Sequence, residues 1–250
     1  MLIVALTALG VGSATVIGAL LGFAFKNASQ KFSKIILAFA GGIMLSAATF
    51  GLILPSLEYG GKFALLITVL GIFTGALCLN FIDKLTPHLH KMIGTDIEIH
   101  KSTNLSKVLL FVIAIAIHNL PEGLAAGVGF GTGNQSQGIL IAIGIALQNI
   151  PEGMVIIAPM LNSGVSKKKT FIIATITGLI EVVGTFIGYF AVKIAYVILP
   201  FALAFAGGTM LYVVSDEMIP ETHSDGNKRG VTYSLLVGFA LMLVLDVLLG

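Results

Sequence analysis

Apolar residues fill this chain in long unbroken blocks, and polar residues are confined largely to the gaps between them. Neither the alternation of a half-buried strand nor the stripe of an amphipathic helix describes such blocks. A helix needs about 20 apolar residues to cross a bilayer core. Eight blocks meet that length: Leu2–Phe25, Ile35–Leu57, Phe63–Ile82, Val108–Phe130, Gly138–Leu161, Phe171–Val192, Ile194–Val214 and Val231–Leu249. The sixth and seventh are divided only weakly, around Lys193 and Pro200. The pattern predicts an all-α integral membrane protein of eight transmembrane helices, with residues 1–250 forming a single transmembrane domain.

Basic residues mark alternate gaps. Lys26, Lys31 and Lys34 follow the first span; Lys84, Lys91, Lys101 and Lys107 the third; Lys167, Lys168 and Lys169 the fifth; Lys228 and Arg229 the seventh. The remaining loops hold only Lys62 and Lys193. By the positive-inside rule the basic side is cytoplasmic, which puts both termini outside and gives a multi-pass protein of the cell (inner) membrane. A miscounted span would destroy this alternation.

A repeat adds architecture. Leu37-Ala38-Phe39-Ala40-Gly41-Gly42-Ile43-Met44-Leu45 in span two returns as Leu203-Ala204-Phe205-Ala206-Gly207-Gly208-Thr209-Met210-Leu211 in span seven. Span two runs outward and span seven inward, so the same sequence crosses in opposite directions. That is the mark of an inverted-topology repeat, a common transporter plan. It predicts a 3+2+3 arrangement, in which spans one to three are related to spans six to eight around a central pair.

Composition agrees with the membrane class. The chain is 56% hydrophobic and 10% charged, with mean hydropathy +1.02, against roughly 25% charged residues in a soluble domain. The lone Cys78 excludes an intramolecular disulfide and a CxxC zinc site. Tryptophan is absent, leaving Tyr59, Tyr189, Tyr196 and Tyr233 for the interfacial belt. Met1-Leu2-Ile3-Val4 lacks a basic leader region, so the first span reads as a retained helix.

The central spans carry the chemistry. His118-Asn119-Leu120-Pro121-Glu122-Gly123 in span four is echoed by Gln148-Asn149-Ile150-Pro151-Glu152-Gly153 in span five. Residues four apart share a helix face, which pairs His118 with Glu122 and Gln148 with Glu152. Asn119 and Asn149 fall on an adjacent stripe. Each proline leaves the carbonyl four residues earlier without its donor, so these spans read as broken helices. Glu181 lies near the middle of span six. Three buried carboxylates with no basic residue at their depth demand compensation by divalent cations or protons. Imidazole, carboxylate and amide donors suit zinc, iron or manganese better than calcium or magnesium.

These motifs resemble the ZIP (Zrt-, Irt-like) metal transporters, in particular their prokaryotic GufA-type branch, over essentially all eight spans. The resemblance implies a single transporter domain that moves zinc and related metals into the cytoplasm, with no catalytic cofactor. It implies one site of His118, Glu122, Gln148 and Glu152, with Met44 as a thioether contact, and a second site of Asn119, Asn149 and Glu181 beside it. Gln148 departs from members with histidine there, and Asn149 from those with aspartate. An acidic exit segment is implied at Asp216, Glu217, Glu221 and His223. Family members often carry histidine-rich loops between spans three and four; His88, His90 and His100 are read here as an ordinary solvated loop. Glu58 stands near the outer entrance, and Asp246 reads as an interfacial side chain.

The expected partners are divalent metal ions and membrane lipid, with room for a homodimer and no role for nucleic acid. A metal-selective channel and an intramembrane metalloenzyme are the alternatives. The enzyme reading is weakened by the absence of HExxH, and the repeat favours a carrier over a channel.

Overall fold

The computed structural model describes residues 1–25, 29–85, 119–131, 133–162, 164–224 and 228–249. His88, His90, His100 and His118 lie outside the described residues. Among those described the chain forms eight helices and no strand. They are α1 (Leu2–Ala24), α2 (Gln30–Tyr59), α3 (Ala64–Leu85), α4 (119–131), α5 (Gln135–Asn162), α6 (Lys167–Ile194), α7 (Leu199–His223) and α8 (Lys228–Leu249). Seven are long and apolar enough to cross a membrane, while α4 is described over the thirteen residues 119–131. The weak division between the sixth and seventh spans is real: Ala195 leaves helical geometry, Tyr196–Ile198 form a 3₁₀ turn, and Pro200 opens α7.

Several helices outrun their apolar blocks. Ser29 Oγ accepts from the Phe32 amide at 3.2 Å, so α2 begins five residues before the predicted Ile35. Ser166 Oγ accepts from the Lys169 amide at 3.4 Å and starts α6 on its lysines. Such caps satisfy amide donors that the first helical turn leaves open. Hydropathy marks only the membrane-embedded part of each helix.

The inverted repeat is written into the packing. Thr15 on α1 and Glu181 on α6 are 166 positions apart. The same offset carries Gly12 onto Gly178, Phe39 onto Phe205 and Gly42 onto Gly208. Gly12 and Gly178 face each other where α1 crosses α6, and a Cβ on either would lie inside 3.0 Å of the other's carbonyl oxygen. Gly153 on α5 presses on the Thr15 carbonyl, and Gly123 on α4 presses on the Glu181 carbonyl. Gly42 of α2 meets the Leu235 carbonyl of α8, as Gly208 of α7 meets that of Ile72 in α3. Small residues let helices approach closely where the bilayer supplies no hydrophobic drive between them. Here each close approach has a counterpart in the other half.

Burial follows the same symmetry. The apolar windows of α2 and α7 are 61% buried, whereas those of α3 and α8 are 22% and 17% buried. Accordingly α2 and α7 line the interior with Ile43, Met44, Leu203 and Met210, while α3 presents Leu66, Phe73 and Leu77 outward as α8 presents Leu236, Val237 and Val244.

Both inner helices change winding at equivalent places. Ala47–Ile53 in α2 and Val214–Met218 in α7 are π-helical, and a proline at the start of the next α-helical turn follows each. Inserting a residue into the i→i−4 ladder produces such a segment. In contrast, α5 runs without interruption from Gln135 to Asn162 across Pro151. The expected break at this proline is therefore absent: the Leu147 carbonyl loses its donor, but the bonds on either side keep the helix continuous.

Candidate metal centre

The central pair of helices and α6 bring their polar residues into one dry region. Asn119 and Glu122 on α4, Gln148 and Asn149 on α5, and Glu181 on α6 are all at most 3% exposed, and Glu152 is half-buried. The carboxylates of Glu152 and Glu181 lie within electrostatic reach of Glu122. No lysine or arginine occurs in 119–131, in Gln135–Asn162, or between Lys169 and Lys193. Negative charge is thus concentrated where the protein offers no cation.

The polar groups fall into two sets. Glu181 accepts three hydrogen bonds. Thr15 Oγ1 donates to its Oε1 at 2.6 Å, Asn149 Nδ2 donates to its Oε2 at 2.6 Å, and Asn119 Nδ2 also donates to Oε1. Four helices meet at this one carboxylate. The other set is bare. Both carboxylate oxygens of Glu122, both amide atoms of Gln148 and Oδ1 of Asn149 are buried without a well-formed hydrogen bond, although the Gln148 amide stands close enough to Glu122 to act on its carboxyl group. A buried polar atom left unpaired costs about 1–3 kcal/mol, a cost that a coordinated cation would offset.

This arrangement suits a cation. Glu122 supplies charge, while Gln148 and Asn149 supply neutral carbonyl oxygens. Pro151 leaves the Leu147 carbonyl without its helical donor. Among the described residues, no three His, Cys, Asp or Glu side chains stand close enough to hold an ion by themselves. The amide oxygens of Gln148 and Asn149 are further donors that an ion there could use, and His118, one residue before Asn119, lies outside the described residues.

The remaining sequence candidates are dispersed. Met44 is fully buried in the apolar core on α2, which packs against α5. Asp216 is exposed, and Glu217 and Glu221 are half-buried at the far end of α7. That end packs on α2 and α8, where Lys34 Nζ lies 2.5 Å from Ser224 Oγ. His223 is engaged locally: Nδ1 lies 2.9 Å from the Ile219 carbonyl and Nε2 3.3 Å from Thr232 Oγ1. Glu58 is exposed at the end of α2, and Asp246 and Cys78 are half-buried. Sequence reasoning missed Thr15, which reads as one more small residue in an apolar helix. The repeat offset, applied to Glu181, points directly to it.

Fold and site together define a multi-pass membrane protein built on an inverted repeat around a carboxyl-rich core. The pattern described as ZIP zinc transporter matches residues 94–246. Zinc transporter GufA of Myxococcus xanthus is 39% identical over 96% of this chain and 96% of its own length. Zinc transporter ZIPB of Bordetella bronchiseptica is 36% identical over 95% of this chain and 78% of its own, and zinc transporter ZupT of Chlorobaculum parvum 35% over 93% and 92%. The chain belongs to the ZIP family, a family of metal transporters and not of enzymes.

Proposed function

We propose that this protein carries divalent transition metal, zinc foremost with iron and manganese as further cargo, across the cell membrane into the cytoplasm. The observation that carries this reading is the group of unpartnered buried oxygens on Glu122, Gln148 and Asn149, set in a region without cationic side chains. Glu122, Glu152 and Gln148, together with His118, hold the ion, and Met44 offers a thioether from α2. Asn119, Asn149 and Glu181 border the same ion. Zinc accepts mixed nitrogen and oxygen donors readily. At the cytoplasmic end of α7, Asp216, Glu217, Glu221 and His223 give the departing ion a charged exit.

The basic loops support an orientation with both termini outside, and the resemblance to the family supports movement of metal into the cytoplasm. The paired halves of α1–α3 and α6–α8 support a carrier, because an inverted repeat supplies two related conformations by exchanging the roles of its halves. The homologous zinc transporters support zinc as the leading cargo.

Purified protein in proteoliposomes, challenged with zinc, cadmium, iron, manganese, calcium and magnesium, tests the reading. Saturable zinc influx that exceeds calcium and magnesium influx is the expected result. Equal permeation of all six ions, or none, contradicts it. Cysteine introduced at Lys168 should react with impermeant reagent only from the cytoplasmic face; labelling in intact cells contradicts the orientation.

A further inference from the structure

Glu181 is buried at the crossing of α1 and α6, where the two halves of the repeat meet. A carboxylate offers about four lone-pair sites, and three are occupied by neutral donors from α1, α4 and α5. The amide orientations follow from chemistry: a carbonyl oxygen of Asn119 or Asn149 turned to the carboxylate would meet another electron-rich oxygen at hydrogen-bond distance. The nitrogens therefore face Glu181, and their hydrogens occupy the space in which a cation on Glu181 would sit. With Nδ2 committed, Asn149 is left with its Oδ1, which is buried and unpartnered on the same helix as the bare Gln148 amide.

Thr15 completes the pattern. It is the symmetry mate of Glu181, so two equivalent positions hold a donor and an acceptor that satisfy each other. Two glutamates here would repel, and two threonines would leave the asparagine nitrogens without an acceptor.

We infer that Glu181 is a positioning residue: with Thr15 it holds Asn149 by its amide nitrogen, aims Asn149 Oδ1 at the transport site, and leaves that site with a single ion. This rests on the ion site proposed above. The ion gains a neutral oxygen through an outer carboxylate, as outer partners commonly orient metal ligands.

The test counts bound zinc per chain on purified protein, measures zinc affinity, and takes E122A as the blank for ions bound elsewhere. Wild type should hold a single zinc more than the blank. E181Q keeps the shape and still accepts from Thr15 and Asn119, but its amide nitrogen faces that of Asn149 and reverses it. The zinc count should stay unchanged while affinity falls about tenfold, the low end for losing a partner that orients a ligand. The double variant E181Q/N149D exchanges amide and carboxylate, rebuilds the hydrogen bond and should recover affinity. Thr15→Val should keep the count and lower affinity by less. Loss of a zinc equivalent in E181Q or Thr15→Val, or no recovery in E181Q/N149D, overturns the inference. Should E181Q fail to fold, the double variant and Thr15→Val still decide. If wild type binds no more zinc than E122A, it is the proposed ion site that fails.

Discussion

Glu122 and Glu181 are both buried glutamates in the same core, yet their surroundings are opposite. Glu181 has three donors from three other helices, whereas Glu122 has only the nearby Gln148 amide and no well-formed hydrogen bond on either oxygen. The fold plainly can satisfy a carboxylate at this depth, because it does so at Glu181. On the function proposed above, the poorly satisfied Glu122 and Gln148 are a feature of the site, maintained against a cost of about 1–3 kcal/mol for each unpaired group. One carboxylate joins four helices, and the other, on that proposal, meets the ion.

The largest expected effect separates these roles. Glu122→Ala should lower zinc uptake by at least about a hundredfold, comparable to losing a principal charge-stabilising group, measured in proteoliposomes at matched protein content. Its thermal midpoint without metal should equal or exceed that of wild type, since a buried and poorly paired polar group is gone. Zinc at about a hundred times its dissociation constant should stabilise wild type by about 2.7 kcal/mol and leave this variant unmoved. A metal-free variant that unfolds more readily than wild type would assign Glu122 to the structural class instead.

Packing at the α1 crossings comes next. Gly153→Ala puts a Cβ inside 3.0 Å of the Thr15 carbonyl, where the nearby atoms are backbone and cannot turn aside. Overpacking of this kind costs about 1–3 kcal/mol or more, and thermal unfolding in detergent measures it. Gly10, with open space around it, is the control: Gly10→Ala should not destabilise.

Thr15→Val should cost about 1.5–3 kcal/mol of stability, the range for a buried hydrogen bond to a charged acceptor. Its effect on uptake should be far smaller than that of Glu122→Ala, and comparable loss in the two variants would erase the distinction. The smallest effect belongs to the end of α7. His223→Ala removes neutral hydrogen bonds near the surface, worth about 0.5–1.5 kcal/mol, and should slow uptake without changing zinc affinity.

Much of this was legible in the sequence, and the failures have physical causes. Eight apolar blocks, the alternating lysines and the LAFAGG repeat predict the helices and their pairing, because bilayer thickness and inverted topology both act directly on composition. The doubled PEG motif predicts the central cluster, since buried carboxylates need a reason to exist. Thr15 escaped notice because threonine is common in membrane helices and its partner is 166 residues away. The π-helical segments Ala47–Ile53 and Val214–Met218 escaped because an extra residue in a helical ladder leaves no hydropathy signature. The expected break at Pro151 did not occur, since one missing hydrogen bond is offset by the intact turns of a long helix. Amide orientation was equally unreadable: a motif shows that Asn149 is present, and only its neighbours decide which end faces Glu181.

Anomalous diffraction from zinc-loaded crystals is the most direct test of the central claim. A single zinc peak is expected in the core, about 2 Å from oxygens of Glu122 and Glu152, with the carbonyl oxygens of Gln148 and Asn149 turned toward it and Glu181 still bonded to Thr15. A zinc coordinated by Glu181, or an empty density at Glu122 in saturating zinc, would contradict the account.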